Sequence, residues 1–86
     1  MADLEITVGR VYRAKRPTLC GTLLRPTYND RMVIWIDKWG ESLQYDSATI
    51  KTGGKYRCAA MADFKKWAGK DVTDTTPEGD WEAANG

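Results

Sequence analysis

The chain contains no histidine and only two cysteines, Cys20 and Cys58, among its 86 residues. The absence of histidine removes the most frequent general base and the commonest metal ligand of proteins. The two cysteines are far apart in the sequence and form no Cys-x-x-Cys pair, so the sequence predicts no zinc site. A cysteine nucleophile would also lack a histidine partner. We therefore predict a protein that is not an enzyme and that uses no metal or other cofactor.

Long hydrophobic runs are also missing. No stretch reaches the roughly 18 apolar residues of a membrane helix, and the first five residues lack the basic and apolar regions of a secretory signal. Small secreted domains usually carry more than one pair of cysteines. We therefore expect a cytoplasmic protein without membrane contact, whose thiols are reduced, and we expect Cys58 to be buried.

The length allows one domain, and the composition changes near residue 74. Residues 74–86 contain Trp81 as their only large apolar residue, which predicts an acidic, disordered tail. Residues 1–73 would then form a single small domain, near the lower size limit for independent folding. In so small a core each large aromatic ring is expected to contribute strongly.

The apolar pattern predicts a mainly β fold with one short helix near the C-terminus. Residues 6–14 alternate with a period of two, and residues 16–30, with two prolines and a glycine, predict a long loop or distorted hairpin. Residues 31–37 are apolar on both faces, as a central strand would be. Further strands are predicted at residues 41–46, 49–50, 55–59 and 71–73, with a tight turn at residues 52–54.

A helix is predicted from about residue 60 to residue 68. Met61, Phe64 and Trp67 recur at helical spacing, and Gly69 stands where a helix commonly ends. Because so short a helix is unstable alone, this apolar stripe must pack on the sheet. The elements together predict a small SH3-like antiparallel β-barrel or a strongly bent sheet. Closure is favoured over a flat sheet backed by the helix, since closure removes exposed edges.

Charge is unevenly distributed along the chain. Residues 1–70 hold all 13 lysines and arginines against 7 acids, whereas residues 71–86 hold 5 acids and no base. The net charge of +1 therefore combines a body of +6 with a tail of −5. Two roles stay open for the tail. In the first it screens the basic surface or competes for it, with Trp81 as its anchor through a cation–π contact or by insertion into a partner, and deletion of residues 74–86 strengthens polyanion binding. In the second it only keeps the domain soluble, and the deletion leaves binding unchanged.

Basic and aromatic residues alternate in the first half of the body. Arginine can pair with phosphate or carboxylate, and aromatic faces can stack on bases or on arginines of another protein. An alternative stays open, in which Arg10 and Arg13 protect an edge strand and Tyr12 belongs to the core. The candidate binding residues are Arg10, Tyr12, Arg13, Lys15, Arg16, Tyr28, Arg31, Trp35 and Trp39.

Five segments of the chain resemble small uncharacterised proteins of bacteriophages and prophages, over about residues 8–73. These segments are residues 8–17, Asn29-Asp30-Arg31, Ile34-Trp35-Ile36, Gln44-Tyr45-Asp46-Ser47 and Phe64-x-x-Trp67-Ala68-Gly69-x-Asp71-Val72-Thr73. The resemblance implies a bacterial cytoplasm and a phage or mobile-element origin. Such proteins often act by binding: some handle nucleic acid, and others inhibit host machinery such as defence complexes or polymerase. No residue roles follow from it.

Two functions are therefore predicted. The first is a phage-type binding module that docks on a host protein complex, as an inhibitor or modulator, through a basic and aromatic surface. The alternative is a nucleic-acid-binding SH3-like barrel that contacts the phosphate backbone and stacks on bases. The partner is a host protein or a nucleic acid, and the chain itself is expected to be a monomer or a weak homo-oligomer.

Overall fold

The structure, a computed structural model, describes residues 4–50 and 53–84. Within these residues the fold is mainly β with one short α-helix, which confirms the predicted fold class. The elements in chain order are β1 (Val11–Ala14), β2 (Leu19–Gly21), β3 (Pro26–Tyr28), β4 (Arg31–Ile36), β5 (Ser42–Ser47), β6 (Arg57–Ala60), α1 (Met61–Trp67), β7 (Ala68–Asp71) and a 3-10 turn (Thr73–Thr75).

Five strands form one antiparallel sheet in the order β6-β5-β4-β1-β7, and β2 pairs with β3 in a separate hairpin. Helix α1 joins the two outer strands directly, because β6 ends at Ala60 and β7 begins at Ala68. Seven helical residues rise only about 10 Å, whereas the outer strands of a flat five-stranded sheet would lie about 19 Å apart. The sheet must therefore curl, and it forms a half-barrel.

The hydrophobic core lies between the concave face of this sheet and α1. Phe64 of the helix is buried, and its ring makes an edge-on contact with Tyr12, with ring centroids 5.7 Å apart. Val33, Leu43, Tyr45 and Ala68 complete the buried cluster. Met61 and Trp67 pack at its margin, so the predicted apolar stripe does face the sheet.

The β2–β3 hairpin is joined to the C-terminal segment, and both contact Arg13 of β1. Thr27 of β3 forms a β-bridge with Ala83, and the Ala84 N–H donates to the Pro26 carbonyl at 2.9 Å. Residues 74–84 therefore lie against the body, in contrast to the disorder that their composition predicts. The contacts are made by backbone groups, carboxylates and Trp81. A prediction of disorder from average composition does not take such individual contacts into account.

Several local predictions are wrong. Strand β1 pairs with β4 on one side and β7 on the other, so Arg10 and Arg13 do not protect an edge strand. Cys58 is exposed, because it lies on the outer strand β6. Residues 49–50 form no strand, since β5 already pairs directly with β6.

Gly69 does not end the helix in a left-handed conformation. It lies in β7, where the backbone of Lys15, the residue after β1, approaches closely. A Cβ atom at this position would lie 2.9 Å from the Lys15 Cα and 3.0 Å from the Lys15 N. Glycine at this position therefore permits close packing of two backbone segments.

We expect Gly69→Ala to lower the free energy of unfolding by about 1–3 kcal/mol, because two backbones must move apart to admit the methyl group. Urea unfolding monitored by tryptophan fluorescence measures this loss. Lys70→Ala, at the exposed neighbouring position in β7, is the control and should stay within about 0.5 kcal/mol of the wild type. Equal stability of the two variants would contradict the close approach.

Candidate functional site

Arg13, predicted to bind a ligand, is buried within an internal network. Its Nε and a terminal nitrogen donate to the two carboxylate oxygens of Asp30, at 3.0 and 3.1 Å. Glu82 from the C-terminal segment accepts a further hydrogen bond, and the guanidinium stacks 3.8 Å from the ring centroid of Tyr28. The hydrogen bonds to Asp30 raise the pKa of Arg13, although burial opposes them. The Arg13 guanidinium and the Tyr28 ring are therefore engaged in contacts within the fold.

Two more arginines pair with acids of the C-terminal part of the chain. The Arg10 Nε donates to the Asp71 Oδ2 at 2.8 Å, and Arg25 pairs with Asp80. Together with the contact between Arg13 and Glu82, these pairs connect the basic body to the acidic end. Acids of the C-terminal part of the chain thus neutralise three arginines of the basic body.

Asp71 links Arg10 to the turn at Thr73. Burial raises the pKa of the Asp71 carboxyl, but hydrogen bonds from Arg10 and Thr73 outweigh it and hold the pKa below its ordinary value of 3.8. A carboxyl whose pKa is lowered by folding stabilises the fold above its unfolded pKa, and that contribution is lost as the pH falls through the folded pKa.

We therefore expect Asp71→Asn to lower the urea midpoint at pH 7, and we expect the difference from the wild type to shrink as the pH falls below about 4. Urea titrations at pH 7, 4 and 2.5 test this. The control is Asp74→Asn, at an exposed position three residues along. A difference that stayed constant across this pH range would mean that the ionised carboxylate is not the stabilising group.

Tyr12 belongs to the core, as the alternative interpretation of the sequence has it. Its side chain is 0% exposed, and its hydroxyl donates to the Glu5 carbonyl at 2.9 Å and accepts from the Thr7 N–H at 2.7 Å. The hydroxyl, the one polar group of the side chain, is thus hydrogen-bonded within the fold. The prediction that Tyr12 stacks on a ligand is therefore wrong.

The two tryptophans predicted as binding residues are exposed. Trp35 lies on β4 just after a bulge in its pairing with β5, and Trp39 lies in the turn between these strands. The Lys38 Nζ is 4.6 Å from the ring centroid of Trp39. The turn is held by Asp37, whose carboxylate accepts from the Glu41 N–H and the Ser42 hydroxyl. A fixed turn therefore presents Trp39 to solvent.

A second apolar surface, at the loop of the β2–β3 hairpin, is missed by the reasoning from sequence. Leu23 and Leu24 are 103% and 95% exposed, and Leu19 on β2 is 64% exposed. The signal was present as two adjacent leucines in a segment of turn residues between Gly21 and Pro26. We call Leu19, Leu23 and Leu24 the leucine surface.

Lys15 and Arg16 are exposed as predicted, and the structure places them beside Lys66 and Trp67 of the helix. The four residues line a cavity of about 280 Å³ together with Ala14. The Lys15 N–H donates to the Trp67 carbonyl at 2.9 Å, which holds the end of β1 against the helix. None of the three cations forms a salt bridge with a described residue.

Arg31 lies on the other side of Trp67 and is half-buried. Its guanidinium stacks on two rings, 4.1 Å from the centroid of Trp67 and 4.6 Å from that of Tyr45. It opens onto a polar groove that also contains Arg57 of β6. Trp67, which the helical spacing identifies as a core residue, thus lies between two basic surfaces, and Arg57 joins one of them although it is distant in sequence.

Trp81 packs in a different place from the one predicted. It lines a cavity of about 440 Å³ on the face of the sheet away from the helix, together with Val11 and Met32. The arginine contacts of the segment are made by Asp80 and Glu82 instead. Trp81 therefore adds apolar contact to a segment that ion pairs also hold.

Residues 4–50 and 53–84 contain no group of three or more histidine, cysteine or acidic side chains placed to hold a metal ion. In the same residues no helix is long and apolar enough to cross a membrane. In comparisons with known proteins, no family model, no curated protein and no solved structure matches the chain.

Proposed function

We propose that the chain is a non-enzymatic binding module that docks on a protein complex of a bacterial host cell, in the cytoplasm, and modulates or inhibits that complex. The observation that carries this proposal is the leucine surface, where Leu23 and Leu24 are almost wholly exposed side by side. Large apolar side chains gathered at the surface of a small protein are typical of a site that another protein covers.

The hairpin that presents these leucines is held next to its loop and along β3. Arg25 pairs with Asp80, and β3 is joined to the C-terminal segment by the bridge between Thr27 and Ala83. A protruding element that is already ordered loses less conformational entropy on binding. The C-terminal segment therefore acts as a brace for the binding hairpin as well as a screen for arginines.

Trp39 and Trp35 supply further candidate anchors on the β4–β5 hairpin. Tryptophan is enriched among the residues that dominate the binding energy of protein interfaces. Tyr12 and Arg13 are removed from the proposed contact surface because their side chains are buried in the fold, and Arg10 is removed because it pairs with Asp71.

The test is a binding comparison between the wild type and Leu23→Ser/Leu24→Ser in a bacterial lysate treated with nuclease. We expect the wild type to retain one stoichiometric protein and the double variant to lose it, with affinity reduced at least tenfold when the partner is purified, since two interface leucines are removed. The control is Ala62→Ser, at an exposed position on α1.

Both variants should keep the wild-type urea midpoint, because the replaced side chains are exposed. Retention of the same partner by the leucine variant would contradict the assignment of the surface. A pull-down that nuclease empties would contradict the proposed function itself.

Nucleic-acid binding is the second candidate, and the cluster of Lys15, Arg16 and Lys66 beside Trp67 favours it. The three cations are exposed on one side of the half-barrel, and an indole ring lies among them. Unpaired cations next to an aromatic face are the elements with which proteins hold single strands.

We expect this function, if present, to give micromolar or tighter binding to oligonucleotides that weakens steeply with salt. Lys15→Ala/Arg16→Ala should weaken binding and reduce the salt dependence, whereas Lys38→Ala on the distant turn should not. Asp80→Asn, which releases the exposed Arg25, should strengthen binding. No shift with single- or double-stranded oligonucleotides at 50 mM salt would exclude this candidate.

A further inference from the structure

A polar groove lies on the helix side of the half-barrel, where β4 begins, β5 ends and β6 begins. It has a volume of about 300 Å³. The register explains its composition, because Arg31 pairs with Ser47 and Tyr45 pairs with Arg57, so that their side chains share a face of the sheet. The lining residues are Asn29, Arg31, Tyr45, Ser47, Thr49 and Arg57.

Arg31 is held in this groove without an acidic partner. Its guanidinium is stacked on the rings of Tyr45 and Trp67, and it forms no salt bridge with any described residue. Burial lowers the pKa of Arg31, and the positive charge of Arg57 lowers it further against an opposing effect of Tyr45. The fold thus places two like charges near each other, and an anion between them would relieve both effects.

This arrangement differs from that of the other arginines that the fold restrains. Arg10, Arg13 and Arg25 are each paired with a carboxylate of this chain. None of the six residues that line the groove is acidic. The groove is therefore a concentration of positive charge that the chain itself leaves uncompensated among its described residues.

The polar residues of the groove can also donate hydrogen bonds. The Asn29 Oδ1 already accepts from the Thr18 N–H at 3.1 Å, which leaves the Nδ2 of Asn29 as a donor. The hydroxyls of Ser47 and Thr49 are 2.7 Å apart and share one hydrogen bond, so one hydroxyl hydrogen remains to be donated. The residues that line the groove therefore carry two guanidiniums, an amide and a hydroxyl with donors that are not used by the contacts described.

We propose that this groove binds the phosphate group of a phosphate monoester. A carboxylate carries one negative charge and two oxygens, whereas a phosphate monoester carries a charge near −2 and three strongly accepting oxygens. The two negative charges of the phosphate match the two guanidiniums of Arg31 and Arg57. Its third oxygen matches the additional amide and hydroxyl donors. The site is separate from the leucine surface and does not depend on the proposed docking function.

The experiment is a titration of the full chain, followed by two-dimensional NMR of backbone amides and arginine Nε–H groups. The probes are inorganic phosphate and methyl phosphate, which can both carry two charges, and dimethyl phosphate and acetate, which carry one. We expect saturable shifts at Arg57, Asn29 and Ser47 with the first two probes, and affinity at least tenfold weaker for the other two.

Arg57→Ala is the variant of choice, because Arg57 is exposed and its loss should not disturb folding. It should weaken phosphate binding at least tenfold, since a charge-assisted pair of hydrogen bonds is lost. Lys55→Ala, two residues away and also exposed, is matched for charge and should bind as the wild type does. Arg31→Gln is a second variant, for which the urea midpoint must be measured alongside binding, since Arg31 packs on two rings.

The proposal would be overturned by the absence of a saturable shift with either dianion, by equal affinity for acetate and phosphate, or by unchanged phosphate affinity in Arg57→Ala. Shifts confined to Lys15, Arg16 and Lys66 would also overturn it, because they would place the anion on the other side of Trp67. Loss of phosphate binding in Arg57→Ala together with unchanged binding in Lys55→Ala would support the groove as the site.

Discussion

Replacement of Phe64 by alanine is expected to cause a large loss of stability, with a much lower urea midpoint than that of the wild type. Phe64 is 1% exposed, and its ring contacts the rings of Tyr12, Tyr45 and Trp67. Removal of a fully buried phenylalanine costs about 3–5 kcal/mol. A chain of this length has a total stability of about 4–13 kcal/mol. One substitution therefore removes a large part of it.

Urea unfolding monitored by circular dichroism and tryptophan fluorescence measures this loss. Phe64→Leu keeps most of the volume and should cost less than about 1.5 kcal/mol. Lys65→Ala is the control on the same helix, at an exposed position. If Phe64→Ala lost no more stability than Lys65→Ala, the helix would not pack on the concave face of the sheet.

Replacement of Asp30 by asparagine is expected to cost about 3–5 kcal/mol, because it leaves the buried Arg13 without its main partner. Asp30 is 0% exposed, and both of its carboxylate oxygens accept from Arg13. Asparagine keeps the shape of the side chain but offers one acceptor atom and no charge. The measurement is the free energy of unfolding in urea at pH 7.

Two comparisons distinguish this effect from a general loss of packing. Glu82→Gln removes a partly exposed partner of Arg13 and should cost less than Asp30→Asn. Arg13→Met/Asp30→Leu replaces both charges with apolar groups, and it should recover most of the stability that Asp30→Asn loses. If Asp30→Asn were as stable as the wild type, Arg13 would not need its partner and would be available to a ligand.

Much of the fold was predictable because its signals are local. The β-branched and aromatic run around Val33 predicted the central strand, and β4 is the middle strand of the five. The switch from a period of two to the helical spacing of Phe64 and Trp67 predicted α1, whose observed bounds differ from the predicted ones by one residue at each end. A buried face imposes a period on the sequence, and that period can be read directly.

The positions of the strands in the sheet were less predictable. Nothing in the alternation of residues 6–14 shows how many neighbours β1 has, and the structure gives it two. The reason is that pairing with β7 depends on Gly69, which has no side chain to obstruct the backbone of Lys15 just after β1. A single glycine adds nothing to the period of the apolar residues, so the sequence pattern does not reveal this contact.

The candidate site shows the same division. Exposure at Lys15, Arg16, Trp35 and Trp39 agrees with the prediction, whereas Arg10 and Arg13 are engaged by acids that follow 61 and 17 residues later in the chain. Composition counts charges but does not assign partners to them. The leucine surface and Arg57 were missed for a related reason, since their significance depends on where the fold places them.

The sequence by itself determined that this protein is a small, mainly β domain with one short helix, because the spacing of apolar residues differs between strands and helices and is visible along the chain. It also determined that a basic body is followed by an acidic end. Only the tertiary structure decided which charges neutralise each other. Coulombic interactions depend on distance in space and on burial. Asp80 pairs with Arg25, and Glu82 pairs with Arg13. Arg31 and Arg57, in contrast, line a groove that has no acidic residue in its lining.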